Sequence, residues 1–330
     1  MIYRVPKSPL PAAGVSTISV EEMEALLTEW FDAPVVLTSS GRAAILLVLQ
    51  ELGFNRYTHR VALPRMISKC VLDAIVYQAF PVDVARTPRA ETDATVFYPQ
   101  YGFVQTKAPE GLVIEDRAHA FFATLGRPAP KTFAIVSLPK FFSTTTMVGG
   151  VMVADVDMAR RLRERRDSAP KKDTRTIQEE SMLFRATATE GTLPRLYTAR
   201  LLNPRIADAE LGGLPTTLFE MAETRRKRAF VMETLLQVAE PLVPPGWAEM
   251  LAANLPYALP LLAAARVLED MNQNLRDKGI ESDIYHVDVS RDMFNPSYTR
   301  MLLIPYSHAT EGGALTDMTD ILTRYAHRSI

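Results

Sequence analysis

From residue 35 to residue 154, short runs of β-branched and aliphatic residues return at intervals, separated by helix-like segments, and this alternation restricts the fold more than any other feature of the chain. The runs are Val35-Val-Leu-Thr38, Arg60-Val-Ala-Leu-Pro64, Phe80-Pro-Val-Asp-Val84, Ala94-Thr-Val-Phe-Tyr98, Gly111-Leu-Val-Ile-Glu115-Asp116, Phe133-Ala-Ile-Val-Ser137 and Gly149-Gly-Val-Met-Val-Ala154. Each has the length and composition of a strand, and the segments after Gly41 and from Ser68 to Tyr77 read as helices. Strands that alternate with helices imply a mainly parallel sheet covered on both faces, with ligands at the strands' carboxyl ends. Ser40, Asp116 and Lys140 all fall at such ends and are expected to converge. Lys140 precedes the pair Gly149-Gly150, which permits close backbone approach or positive φ where the chain turns back into the sheet.

At 330 residues the chain can bury a full core and is long enough for two domains. Its formal net charge of −1 gives no reason to expect nucleic acid or an anionic membrane as partner. The single cysteine, Cys70, cannot form an internal disulfide and reads as a small buried side chain in a reducing compartment. No stretch approaches the roughly 20 apolar residues that span a bilayer; the most apolar one, Leu255 to Leu268, is broken by Pro256 and Pro260. The N-terminus lacks the apolar core of a signal peptide, so a cytoplasmic enzyme is the expectation. His59, His119, His286, His308 and His327 are scattered without ligand spacing, and no metal site is expected.

Ser19 followed by two glutamates marks a helix start, with Met23, Leu26, Leu27 and Trp30 as its apolar face. Ser40, Gly41 and Arg42 open the helix after the first strand, where free N–H groups and the helix dipole can cradle an anion. From Asp157 the pattern turns helical. A basic helix covers Met158 to Arg166, and residues 160 to 175 hold eight Lys or Arg, which read as a solvated face or as the rim of an anionic-substrate site. Ile206 to Val238 reads as a long helix with a break near Gly212-Gly213, Leu268 to Lys278 as a helix closed by Gly279, and Met301 to Pro305 as a strand. The division expected is a large domain over residues 1–212 and a small α+β domain over 213–330.

In this order the pieces resemble the DegT/DnrJ/StrS-type sugar aminotransferases, fold-type-I enzymes dependent on pyridoxal 5'-phosphate (PLP). Thr38-Ser-Ser-Gly-Arg-Ala-Ala is similar to the family's Ser-Gly-Thr-Ala-Ala phosphate turn, and Tyr101-Gly102 to its His-Leu-Tyr-Gly segment. Ile114-Glu-Asp-Arg-Ala-His-Ala120 resembles its Ile-Glu-Asp-Ala-Ala-Gln/His-Ala motif, the most specific match. Ser137-Leu-Pro-Lys140 with Gly149-Gly150 resembles its Ser-Phe-x-x-x-Lys segment and the strand that follows, and Asn203-Pro-Arg-Ile its Asn-Tyr-Arg-Met helix start. The resemblance implies an α/β fold with a large PLP-binding domain, built on a mainly parallel sheet flanked by helices, and a smaller C-terminal α+β domain. It implies Lys140 as the lysine that forms a Schiff base with the cofactor aldehyde, Asp116 on the pyridinium nitrogen and His119 near the phenolic oxygen. Ser40, Gly41, Arg42 and Ser137 would hold the phosphate, with Asn203 reaching across from a second subunit of a homodimer with shared active sites. The implied reaction moves an amino group, by a ping-pong route, from an amino acid such as glutamate to a nucleotide-linked keto sugar.

Three positions depart from that pattern. The family spaces its serine and lysine two residues further apart, Ser68 stands where it sets an aromatic ring on the cofactor, and Arg42 replaces a threonine. These departures keep a second reading open, a catalytically altered or inactive relative with a regulatory or binding role. Ser137-x-x-Lys140 also matches the signature of penicillin-binding hydrolases, but their Ser-Asp-Asn and Lys-Thr-Gly partners are absent and a strand, not a helix start, precedes it here. A dinucleotide site lacks its Gly-x-Gly-x-x-Gly.

Overall fold

The computed structural model describes residues 18–327 except 104, 106, 108, 124, 143, 145, 174 and 180–201. A seven-stranded sheet forms the first body of the fold. Its strands are β1 (Val35–Thr38), β2 (Arg60–Leu63), β3 (Phe80–Asp83), β4 (Ala94–Phe97), β5 (Val113–Asp116), β6 (Thr132–Ser137) and β7 (Gly149–Met152), in spatial order β1-β7-β6-β5-β4-β2-β3. Only β7 runs against its neighbours, pairing Thr38 with Gly149 on one side and Ser137 with Gly149 on the other. The sheet is therefore mainly parallel, as the alternation predicts, and the carboxyl ends of β1, β5 and β6 lie on one edge.

Alternate residues of the central strands feed two different cores, as a period of two requires. Val35, Leu37, Ala134, Val136 and Met152 face one apolar cluster, while Val36, Phe133, Ile135 and Val151 face the other. Helix α1 (Val20–Phe31) covers the first face. Ser19 accepts from the Glu22 amide and Glu22 returns a bond to the Ser19 N–H, so the expected cap is a full capping box. Helices α2 (Gly41–Glu51), α3 (Lys69–Val76) and α4 (Val156–Ser168) pack around the other.

After α4, helix α5 (Leu218–Ala239) and the short α6 (Ala248–Asn254) lead to a three-stranded antiparallel sheet of β8 (Ala258–Leu261), β9 (Asp283–Asp288) and β10 (Tyr298–Pro305), ordered β8-β10-β9. Helices α7 (Ala265–Asp277) and α8 (Gly312–Ala326) complete it. Gly279 follows α7 at φ +75°, the left-handed conformation that a glycine C-cap supplies. The long helix starts at Leu218, later than the sequence pattern suggests, because Gly212 to Thr217 form turns after a 3₁₀ segment at Asp208–Leu211. Strand β8 contains Pro260, tolerated because β8 is an edge strand. The first apolar core continues from the large sheet through Phe121, Phe122, Phe141 and Phe142 into this small sheet.

Candidate active site

Lys140 ends a single 3₁₀ turn (Leu138–Lys140) directly after β6. The next two residues, Phe141 and Phe142, are buried and packed on Phe121 and Phe122, which pins the turn from behind. Burial pushes the Lys140 ammonium below the usual lysine range, and the Arg42 guanidinium adds to this; the Asp116 carboxylate and the Cys70 thiol work in the opposite direction.

Asp116 is the last residue of β5 and is 7% exposed. Its Oδ1 accepts from the Ala118 N–H at 3.0 Å. Burial raises its carboxyl, with the Lys140 charge and the Ala118 bond opposing. The next residue, Arg117, differs from the alanine of the resembling motif, and it turns away from the lysine. Its guanidinium pairs with Glu115 at 2.7 Å and donates to the Gly126 carbonyl at 2.8 Å, so its charge is met locally.

His119 is buried beside them and hydrogen-bonded to the Tyr98 hydroxyl. Burial holds its imidazole well below 6.5, and the Lys140 charge lowers it further, so the ring is neutral at pH 7. Its ring packs on Tyr257, with centroids 4.2 Å apart.

The cradle lies across β7. Ser40 caps α2 by accepting from the Ala43 N–H at 3.1 Å, and Thr38 donates to the Ser40 carbonyl at 2.9 Å. Arg42, in the first turn, is 9% exposed and makes no hydrogen bond or ion pair with any described residue. A largely covered guanidinium that no described residue meets is open to an anion. The structure thus brings Asp116, His119 and Arg42 each into electrostatic reach of Lys140, with Ser137 at the end of β6 and Ser40 and Gly41 just after β1, on either side of β7.

Asn203 is not a member of this group within one chain. Its side chain donates to the Pro170 carbonyl at 3.0 Å and accepts from the Arg205 N–H at 3.0 Å, while its backbone carbonyl accepts from Ser39 Oγ. Ser68 supplies no ring; its hydroxyl lies 3.0 Å from Cys70 Sγ at the start of α3.

Sequence reasoning missed Tyr98 and Tyr257. Tyr98 follows the end of parallel strand β4, a position that could have flagged it. Tyr257 sits in a proline-interrupted run with no local signal, yet its ring lies 5.2 Å from Lys140 Nζ. The basic stretch is in part a solvated face, with Arg160, Lys171 and Arg175 exposed and Arg160 paired with Glu164, and in part a set of ties to other elements. Arg163 and Arg166 bind Glu24, Arg161 and Arg165 bind Glu51, and Lys172 meets Glu210 at 2.9 Å. Its charges tie α4 to α1 and α2. Among the described residues no group of three or more His, Cys, Asp or Glu could hold a metal ion, and no helix is long and apolar enough to cross a membrane.

Residues 27–186, which carry the lysine, the carboxylate and the cradle, match the protein family described as "Putative PLP-dependent aminotransferase". That stretch, just under half of the chain, is similar to the PLP-dependent aminotransferases. Its fold is shared with a DegT/DnrJ/EryC1/StrS aminotransferase from Brucella abortus, at 15% identity and a TM-score of 0.60 over 93% of this chain and 90% of that one. PseC from Helicobacter pylori, an aminotransferase involved in the biosynthesis of pseudoaminic acid, superposes at 13% identity and a TM-score of 0.63 over 94% and 91%. NtdA from Bacillus subtilis, solved with bound cofactor PMP, gives 13% and 0.62 over 94% of this chain and 76% of NtdA. No curated protein sequence matches the chain.

Proposed function

We propose that the protein transfers an amino group from an amino acid, glutamate being the expected donor, to a keto sugar linked to a nucleotide. The observation that carries this reading is the meeting of a partly buried lysine of depressed basicity with a buried carboxylate, beside a buried arginine that has no anion among the described residues. These groups fit pyridoxal phosphate. Arg42 at the start of α2 calls for an anion, and the helix N-terminus offers it N–H groups. Ser40, Gly41, Arg42 and Ser137 would hold the phosphate, and Asp116 would hold the pyridinium nitrogen in its protonated form.

When bound, the cofactor supplies an electron sink for the carbon that loses its proton. The chain's own residues would do the rest. Lys140 anchors the cofactor and, once released, takes and returns a proton at Nζ, which its depressed pKa suits. His119, neutral and held by Tyr98, offers a fixed imidazole hydrogen bond to the phenolic oxygen. The aromatic residues behind Lys140 would hold the turn that carries it in place. The donor's keto product leaves before the sugar enters, which gives ping-pong kinetics. A homodimer with shared sites belongs to the same reading, and there Asn203 would serve the neighbouring subunit once its side chain leaves Pro170.

The test is the visible spectrum of purified protein with added pyridoxal phosphate, compared with Lys140→Ala. A band absent from the variant, and bleached by glutamate in the wild type, is expected. No band in the wild type overturns the reading; a band that no amino donor bleaches favours a PLP-binding relative that does not transaminate.

A further inference from the structure

We propose that Tyr257 is a working residue of the site: its ring face receives the amino group of Lys140 whenever that group is free, and Arg228 fixes the ring in place. This rests on the reading of Lys140 as the cofactor-binding lysine. Lys140 Nζ lies 5.2 Å from the Tyr257 ring centroid, within the range where an aromatic face attracts an ammonium. The ring is held on three sides. His119 packs on it at 4.2 Å between centroids, the Tyr257 N–H donates to the His119 carbonyl at 3.4 Å, and the preceding carbonyl, that of Pro256, accepts from Arg228 at 2.6 Å.

Arg228 explains why the arrangement is rigid. It has no exposed surface and forms no ion pair with any described residue, and it spends its donors on the carbonyls of Pro256 and Tyr306. Its guanidinium also lies 5.1 Å from the ring of Phe141 and 4.2 Å from that of Tyr306. The residue after the lysine and the residue before the tyrosine are thereby tied to one side chain of α5. An apolar residue could fill the same space without the cost of burying a charge. What the arginine adds is a fixed spacing between the large-sheet turn that carries Lys140 and the strand entry that carries Tyr257.

A lysine that alternates between the cofactor and a free state needs a place to rest that is neither water nor a carboxylate that would hold it. Asp116 from β5, His119 after it, Arg42 from α2 and Cys70 from α3 are the titratable or charged groups whose fields reach Lys140. Of these only Asp116 and Cys70 favour the ammonium. The Tyr257 face attracts it without a formal charge, and so raises its proton affinity by less than a second carboxylate would.

The experiment titrates Lys140 directly in the cofactor-free full chain labelled with 13C-lysine, its signal assigned by loss in Lys140→Arg. Tyr257→Leu keeps an apolar wall but removes the ring, and its Lys140 midpoint is expected to fall by about one pH unit, the size of a desolvated cation–π contact. Tyr257→Phe keeps the face and should stay within about 0.3 unit of wild type on the same grounds. Tyr257→Met repeats the test should Tyr257→Leu not fold. An unchanged midpoint in the folded Leu or Met variant overturns the proposal. The measurement needs no cofactor, so it fails independently of the aminotransferase reading, which fails instead on the absence of a PLP band in wild type.

Discussion

A Cβ placed on Gly149 would lie 2.3 Å from the backbone nitrogen of Gly41 and 2.6 Å from the carbonyl carbon of Ser40. Both obstacles are backbone, at the turn that opens the proposed phosphate cradle, and neither can rotate aside. Gly149→Ala should therefore push the Ser40–Gly41 turn off β7, costing about 1–3 kcal/mol or more in stability and weakening PLP binding. At Gly150 the nearest atom is the Val36 carbonyl oxygen at 3.0 Å, so Gly150→Ala should be milder on both counts. Urea melts and a PLP titration of the two variants check the ranking; equal behaviour would refute it.

Arg42 illustrates an opposition between stability and binding. Arg42→Met removes a largely covered guanidinium without a partner among the described residues, so the cofactor-free protein should melt at the same temperature or higher. The same change deletes a charged hydrogen-bonding partner of the phosphate, and PLP affinity should fall about 10–100-fold. Thermal melts with and without PLP read both effects. A variant that loses stability and keeps affinity would remove Arg42 from the cradle.

The large sheet was legible because its strands are short, apolar and separated by recognisable helix starts, so Ser19, Ser40 and Gly279 take the roles their residue types suggest. The lysine, the carboxylate and the histidine could be found because they end strands or follow them closely. The small sheet was less so. β8 hides behind Pro256 and Pro260, and β9 mixes Asp283, Tyr285 and His286 with apolar residues without a clear buried face. Tyr257 and Arg228 reach the site from 117 and 88 positions beyond the lysine, and such long-range packing leaves no local pattern. The basic stretch misleads in part for the same reason: Glu24 and Glu51, partners of four of its arginines, lie more than a hundred residues earlier.

Glu24 is the centre of that network. It is 4% exposed, accepts from the Leu37 N–H at 2.8 Å and from Arg163 at 2.6 Å, and pairs with Arg166. Both arginines also donate to β1 carbonyls, of Val35 and Leu37, so three elements meet on one carboxylate. Glu24→Gln leaves the buried Arg166 with only the half-exposed Asp167 as its anion, and a loss of up to about 3–5 kcal/mol is expected. Asp157→Asn, on the exposed side of the same helix, should cost under about 1 kcal/mol. Chemical denaturation compares them, and a small loss at Glu24 would mean that the network is not structural.

His119 should make folding stability depend on pH in a defined direction. Its folded-state pKa lies well below the unfolded value of 6.5, because burial and the Lys140 charge disfavour the imidazolium. Below about pH 6.5 the unfolded chain binds a proton that the folded chain refuses, so stability falls as pH falls, by up to about 1.4 kcal/mol per unit for this one group. His308, also depressed by burial, acts with the same sign. His119→Gln removes one of the two titrating groups and can still meet the Tyr98 hydroxyl. Its urea stability, measured without cofactor at pH 7 and pH 5.5, should therefore drop less than that of wild type, while an equal drop would show that His119 already charges in the folded protein.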